Sequence, residues 1–207
     1  MPSALLVVRH GQSVWNAAGR WQGCSDPALS DLGRSQAADA VAHLAGLGID
    51  GVAASDLARA RDTAGAIAEG LALKPPYLDP DLREYDVGDW EGLTRPEIEA
   101  GWPDQLAAWR EGRLLATPGG ETRAHFVARA IAGLARVARH PDLGETVVVV
   151  SHGGLIRAVE QVTGAERSLV VENLAGRWFT VDAGGRLLPG DLVNLGDPAH
   201  RTASPSL

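Results

Sequence analysis

Two histidines stand in the same local context and are the first candidates for a chemical role. His10 closely follows a short apolar run and precedes Gly11, and His152 closely follows four valines and precedes Gly153. Both runs are typical of buried strands, and ligand sites in α/β sheets lie beyond the carboxyl ends of strands. We therefore expect both imidazoles in one pocket, where the glycines let backbone amides approach a ligand.

The elements that would position these histidines follow from the hydrophobic pattern. The pattern predicts strands over 5–8, 51–54, 146–150 and 178–181. Amphipathic helices are expected to begin near Ser30 or Asp31, Leu57, Thr122 and Leu155. The last helix is expected to bury Leu155, Ile156, Val159 and Val162 and to stop at Gly164. Strands that alternate with helices predict an α/β fold: a mostly parallel central sheet with helices on both faces.

The middle of the chain lacks clear periodicity. Residues 74–121 are rich in proline and tryptophan, and we interpret them as loops and short helices that cover the substrate like a lid. The length fits one domain over residues 1–207, with a frayed tail expected at 201–207.

Composition narrows the classes of partner. A net charge of −7 and a pI near 5.3 provide no electrostatic footprint for nucleic acid or an anionic membrane. Cys24 is the single cysteine, so no intramolecular disulfide is expected. No apolar segment is long enough to cross a bilayer or to form a signal peptide core, which favours a cytoplasmic protein.

Six blocks of sequence together resemble the histidine phosphatase superfamily, also called the phosphoglycerate mutase-like family. They are RHGQSVWN at 9–16, RWQG at 20–23, SDLARARDTA at 55–64, LREYDVGDWEG at 82–92, PGGET at 118–122 and SHGGLIRA at 151–158. They occur in the order typical of the family, and the combination is most similar to the phosphatase branch, in particular to actinobacterial phosphatases. The resemblance implies a phosphoglycerate mutase-like fold and a phosphomonoesterase, a histidine acid-type phosphatase acting on small phosphorylated metabolites.

The resemblance also implies roles for five residues. His10 would be the nucleophile that becomes a phosphohistidine, and Arg9 and Arg59 would grip the phosphate with bidentate forks. His152 would donate to the transferring phosphoryl group, and Glu84 would be the general acid that protonates the leaving oxygen. Neighbouring carboxyls at 86 and 89 are weaker candidates for the acid.

Secondary contacts to phosphate or substrate are implied for a further group of residues: Ser13, Asn16, Gln22, Gly23 and Gly153. Asn173 is an additional candidate, and the tryptophans at 15, 21 and 90 either line the substrate mouth or pack in the core. The remaining histidines are scattered, with no metal-binding motif, so no metal ion and no cofactor is expected.

Two other functions remain open from the sequence. Cofactor-dependent phosphoglycerate mutases share the phosphohistidine, but they carry a longer segment after the catalytic glutamate than this chain does between Trp109 and Pro118. A non-catalytic phospho-ligand-binding protein on the same fold would be expected to have lost a catalytic residue, whereas every such position is filled here. The partner expected is a small phosphorylated substrate, and a homodimer is the assembly to test first.

Overall fold

The computed structural model of the protein describes residues 3–166, 168 and 171–196 of the 207-residue chain. The tail expected at 201–207 lies outside these residues. Within them, no helix is both long and apolar enough to span a membrane.

A six-stranded sheet organises the chain. Its strands are β1 (Ala4–Arg9), β2 (Gly51–Ala54), β3 (Tyr77–Leu78), β4 (Thr146–Ser151), β5 (Ala175–Val181) and β6 (Leu187–Asn194). They lie in the order β3-β2-β4-β1-β5-β6. The first four are parallel, whereas β5 runs antiparallel to β1 and β6 antiparallel to β5. The expected mostly parallel sheet is confirmed.

Seven helices connect and cover these strands in the described part of the chain. They are α1 (Val14–Ala17), α2 (Asp31–Leu44), α3 (Ala58–Gly70), α4 (Arg95–Gly101), α5 (Pro103–Arg110), α6 (Arg123–Arg139) and α7 (Gly153–Thr163). Side chains set several of their starts: the Ser30 hydroxyl accepts from Gly33 N at the start of α2, and the Thr122 hydroxyl accepts from His125 N at the start of α6. Residues 74–121 also contain two short 3₁₀ turns, Pro80–Leu82 and Gly88–Trp90.

The alternation of side chains along each strand divides the core into two layers. On one face, Leu5 and Val7 of β1 pack with residues of α6, α7 and the middle segment. On the other face, Leu6 and Val8 pack with residues of α2 and α3. Helices therefore cover both faces, as expected, and β1 and β4 are buried at the centre of the sheet.

Two features depart from the sequence expectations. Val162 is 55% exposed on α7, so its predicted burial is wrong. It lies three residues after the buried Val159, but it belongs to the last turn of α7, which ends at the left-handed Gly164 (φ 74°) and where Gln161 is exposed as well. Strands β3 and β6 were not expected, because β3 is only two residues long and β6 is an exposed edge strand without alternation of apolar residues.

Candidate active site

The register of two neighbouring parallel strands brings the two histidines together. Val8 of β1 lies opposite Val150 of β4, and Arg9 lies opposite Ser151. His10 and His152 therefore leave the sheet at the same level, and their ring centroids are 5.1 Å apart with an interplanar angle of 64°. The two imidazoles lie close together, as predicted, because β1 and β4 pair in register.

The ring of His10 is held in one tautomer. Its Nδ1 is 2.6 Å from the carbonyl oxygen of Gly11, to which it donates, so Nε2 carries the lone pair. Arg59 Nε donates to that Nε2 at 3.2 Å, and Asn173 Nδ2 donates to the His10 carbonyl at 2.7 Å. Burial, followed by the charges of Arg59 and Arg9, holds the pKa of His10 well below its usual value, so the imidazole is neutral.

Two arginines supply buried positive charge around His10. Arg59, on the first turn of α3, is fully buried, and its terminal nitrogens donate to the carbonyls of Ser25 (2.7 Å) and Gly23 (2.9 Å). Arg9 donates to the carbonyl of Val171 at 2.7 Å. Burial lowers the pKa of each arginine to about 10, which still leaves both charged at neutral pH. These carbonyl contacts orient the guanidinium groups toward one centre.

His152 is buried without a hydrogen-bond partner. Its side chain is 0% exposed, and neither Nδ1 nor Nε2 contacts a donor or acceptor in the part of the chain that the structure describes. Burial, followed by the charge of Arg59, lowers its pKa well below the usual value. An unsatisfied buried polar group costs about 1–3 kcal/mol, so this ring is set up to receive a polar ligand.

Glu84 lies close enough to Arg9 and Arg59 to interact with both charges. Burial lowers the pKa of each arginine, and the Glu84 carboxylate offsets part of that lowering. Glu84 is 6% exposed, and two backbone amides orient its carboxyl. Tyr85 N donates to Oε1 at 2.9 Å, and Gly154 N, on the first turn of α7, donates to Oε2 at 3.0 Å. Asp86 instead accepts from Gly88 N, which stabilises a turn, so the structure favours Glu84 over this alternative.

The remaining residues that were predicted to contact phosphate or substrate lie near the arginines and are called the wall residues: Ser13, Asn16, Gln22, Gly23 and Gly153. The Ser13 hydroxyl donates to Gln22 Oε1 at 2.6 Å and accepts from Asn16 N at 3.0 Å. Gly23 adjoins this group and binds Arg59 through its carbonyl. Gly153 is the first residue of α7 and lies beside the Arg9 side chain, at a helix N-terminus, which suits an anion. The structure therefore groups these residues with His10 rather than dispersing them.

A cavity of about 450 Å³ adjoins the site at Gly154. Four arginines line it, namely Arg95, Arg110, Arg123 and Arg157, together with aromatic rings that include Trp21 and Trp109. The Arg123 guanidinium lies 5.8 Å from the centroid of the Trp109 ring. Trp90, by contrast, is fully buried in the core, where it packs edge-on against Trp21.

Sequence reasoning missed this arginine lining. Arg95 and Arg110 lie in the segment without periodicity, and Arg123 is the first residue of α6. At such positions a lone arginine cannot be told from a solvated surface residue. Arg157 lies within the SHGGLIRA block, which was a signal that could have identified it. Across residues 3–166, 168 and 171–196, no cluster of three His, Cys, Asp or Glu side chains could hold a metal ion.

Comparison with known proteins identifies relatives along most of the chain. The family profile of the histidine phosphatase superfamily (branch 1) matches residues 5–172. The glucosyl-3-phosphoglycerate phosphatase of Mycolicibacterium vanbaalenii is 40% identical over 175 residues, covering 82% of this chain and 76% of that protein. The 2,3-bisphosphoglycerate-dependent phosphoglycerate mutase of Methylobacterium radiotolerans is 36% identical over 168 residues, covering 78% and 79%.

Solved structures agree with these sequence similarities. A mycobacterial glucosyl-3-phosphoglycerate phosphatase, solved in complex with VO3, has a TM-score of 0.80 and 34% identity, covering 93% of this chain and 99% of that one. The resemblance and the fold expected from the sequence are confirmed. Two histidines, two arginines and a glutamate gather beyond the carboxyl ends of β1 and β4, and the chain belongs to the histidine phosphatase superfamily, branch 1.

Proposed function

We propose that this phosphatase transfers the phosphoryl group of its substrate first to His10 and then to water. In the first step, the lone pair on Nε2 attacks phosphorus in line, and the N–P bond forms as the P–O bond to the alcohol breaks. Glu84, protonated at that moment, gives its proton to the departing oxygen. Arg9, Arg59 and His152 stabilise the charge on the phosphoryl oxygens.

The second step regenerates the enzyme. The Glu84 carboxylate takes a proton from water, whose oxygen attacks the phosphohistidine. The new P–O bond forms, the N–P bond breaks, and neutral His10 and inorganic phosphate are released. Protons balance over the cycle, and the guanidinium groups stabilise the charge, so we expect no requirement for a metal ion or cofactor.

The observation that carries this proposal is the state of the two imidazoles. His10 is neutral, with Nδ1–H fixed on Gly11 and the lone pair on Nε2, which is the form a nucleophile needs. Arg59 Nε–H occupies that lone pair, so it must turn to a phosphoryl oxygen when substrate binds. The partnerless ring of His152, 5.1 Å away, supports a phosphate position between the two rings.

The wall residues support this position. We propose that the backbone of Gly153 donates to a phosphoryl oxygen at the start of α7. Ser13, Asn16, Gln22 and Gly23 would shape the opposite side of the phosphate site, since they contact one another and Arg59.

The adjoining cavity supports a phosphorylated sugar acid as the substrate. Guanidinium groups suit a carboxylate, and the rings of Trp21 and Trp109 suit the apolar face of a sugar. Glucosyl-3-phosphoglycerate is the first candidate, since relatives with that named activity are 40–42% identical. Part of the 74–121 segment, including Arg95 and Arg110, would cover this substrate.

Phosphoglycerate mutase is the second candidate, supported by relatives of that name at 36–37% identity. The sequence favours hydrolysis, because the stretch between Trp109 and Pro118 is short. The filled catalytic positions argue against a non-catalytic binding protein. The single Cys24 supports a cytoplasmic location, and assembly as a homodimer stays a prediction.

A metabolite panel separates these candidates. Release of inorganic phosphate should be fastest from glucosyl-3-phosphoglycerate, ahead of sugar phosphates that lack a carboxylate. A mutase would instead interconvert 2- and 3-phosphoglycerate when primed with the bisphosphate, faster than it releases phosphate. If the protein hydrolyses none of the phosphate esters, not even 4-nitrophenyl phosphate, the result would favour a non-catalytic binding protein.

Trapping of the intermediate tests the residue roles. The protein is mixed briefly with labelled substrate and the reaction is quenched in base. Acid-labile label should remain on the wild-type protein, and none should remain on His10→Ala. Arg59→Gln should lose most of the labelling rate, whereas the matched control Arg61→Gln, on the exposed side of α3 beside Asp62, should keep it. Full activity of His10→Ala would contradict the mechanism.

A further inference from the structure

The carboxyl of Glu84 sits on backbone that has no regular secondary structure. Residues 84–87 lie between two 3₁₀ turns and belong to no helix or strand. Backbone of this kind lacks the ladder hydrogen bonds that fix residues in regular elements. Transfer of a proton requires the acid within hydrogen-bond reach of the leaving oxygen. The amides of Tyr85 and Gly154 orient the carboxyl, so the position of the Glu84 backbone must be fixed by further contacts.

A largely buried arginine on α6, Arg129, binds this backbone. Arg129 Nη1 donates to the carbonyls of Asp81 (3.0 Å) and Arg83 (2.8 Å), and its Nη2 donates to the carbonyl of Glu84 (2.6 Å). Its side chain is only 11% exposed. Three carbonyls over four residues are therefore bound to a single rigid guanidinium plane.

Glu121 completes this arrangement from the other side. Its two carboxylate oxygens accept from Arg129 Nη2 and Nε, at 2.5 and 3.1 Å. The same carboxylate accepts from Asp86 N at 3.0 Å, and the Glu121 carbonyl accepts from the Tyr85 hydroxyl at 2.5 Å. One largely buried ion pair, Arg129–Glu121, therefore makes the contacts to residues 81–84 and to residues 85–86.

We propose that Arg129, locked by Glu121, is a positioning residue for the general acid. It does not touch the phosphate site through any described contact; it fixes the backbone from which the Glu84 carboxyl extends toward Gly154. Arginine suits this task because its fork can satisfy three carbonyls at once, whereas a lysine ammonium is a point charge that cannot span them in one plane. The inference rests on the proposed role of Glu84 as the acid.

Loss of this support should appear in the dependence on the leaving group. An alkoxide needs the proton from Glu84, whereas a nitrophenolate departs without it. Arg129→Met should lower kcat/KM for alkyl phosphates by up to about 10²-fold, the scale of a misplacement near 1 Å. The loss on 4-nitrophenyl phosphate should be far smaller. We choose kcat/KM because it reports the steps up to departure of the leaving group and excludes hydrolysis of the phosphohistidine.

Arg136 provides a matched control on the same helix. It lies two turns after Arg129 and binds the carboxylates of Asp79 and Asp81, so it ties α6 to the same stretch of chain. Arg136→Met should lower the melting temperature without changing the slope of log(kcat/KM) against the pKa of the leaving group. Arg129→Met should steepen that slope, and Arg129→Lys should fall between it and the wild type.

The outcomes separate the inference from the proposal on which it rests. A steeper slope in both Glu84→Gln and the Arg129 variants supports positioning. A steeper slope in Glu84→Gln with an unchanged slope in folded Arg129 variants overturns the inference alone. An unchanged slope in Glu84→Gln overturns both. If Arg129→Met fails to fold, Arg129→Lys and Glu121→Gln carry the same test, with the same result expected to overturn it.

Discussion

Stability in the absence of ligand should fall as the pH is lowered, because two buried histidines are neutral in the folded protein. The pKa values of His10 and His152 are both held well below the usual value by burial and by nearby arginines. An unfolded histidine takes up a proton near pH 6.5. Below that pH the unfolded chain binds more protons than the folded one, so the free energy of unfolding rises with pH. The stabilisation is present above about pH 6.5 and is lost as the pH falls.

The size of the effect follows from this linkage. Between pH 7.5 and 5.5, proton uptake by one unfolded histidine of pKa about 6.5 favours the unfolded state tenfold, or about 1.4 kcal/mol. His10 and His152 together should therefore cost about 2.7 kcal/mol over that range. For a chain of this length, this corresponds to a fall of roughly 5–11 °C in melting temperature.

Urea unfolding over this pH range, in buffer without phosphate, checks the prediction. His152→Leu should remove about half of the pH dependence. It should also raise stability at pH 5.5, because the leucine has no polar nitrogens left unsatisfied. His43→Gln is the control, since His43 is exposed on α2. If the free energy of unfolding of His152→Leu depends on pH as strongly as that of the wild type, the assignment of His152 as a neutral, partnerless ring is refuted.

Two further predictions concern the backbone around His10 and the metal requirement. A Cβ at position 33 would lie 2.0 Å from the Gln12 carbonyl oxygen, so Gly33→Ala should destabilise by about 1–3 kcal/mol in urea unfolding. Gly65→Ala on α3 meets nothing within 4 Å and should instead gain up to about 1 kcal/mol; equal changes would contradict the close approach. Activity should survive prolonged dialysis against a chelator, and vanadate should inhibit by competing for the phosphate site. Loss of activity that added Mg²⁺ or Zn²⁺ restores would contradict the arginine-based charge stabilisation.

The shared position of the two histidines was open to prediction from local sequence, whereas the chemistry was inferred from the resemblance to the family. Two strand ends that each terminate at a His-Gly step predicted a shared pocket, and the register of β1 and β4 produces it. Capping residues and apolar periodicity located the four longest helices, α2, α3, α6 and α7, since both signals lie within a few residues of the element they define. At Val162 the periodicity was insufficient, because the last turn of α7 is exposed although the apolar pattern continues into it.

Tertiary structure alone decided how the acid is supported and where the substrate can extend. Arg129 is 45 residues from Glu84, and nothing in its local sequence distinguishes it from a solvated residue. Glu121 lies in the PGGET block, but it is 35 residues from Asp86, and the block does not indicate which groups it binds. The cavity arginines likewise come from four separate segments. The sequence by itself determined the central strands with their two His-Gly steps and the family, because strand and motif patterns are local, and the resemblance supplied the candidate residues for phosphoryl transfer. Only the folded chain decided their tautomers, their partners and the space beside them, because contacts distant in sequence and the loss of water at the site set all three.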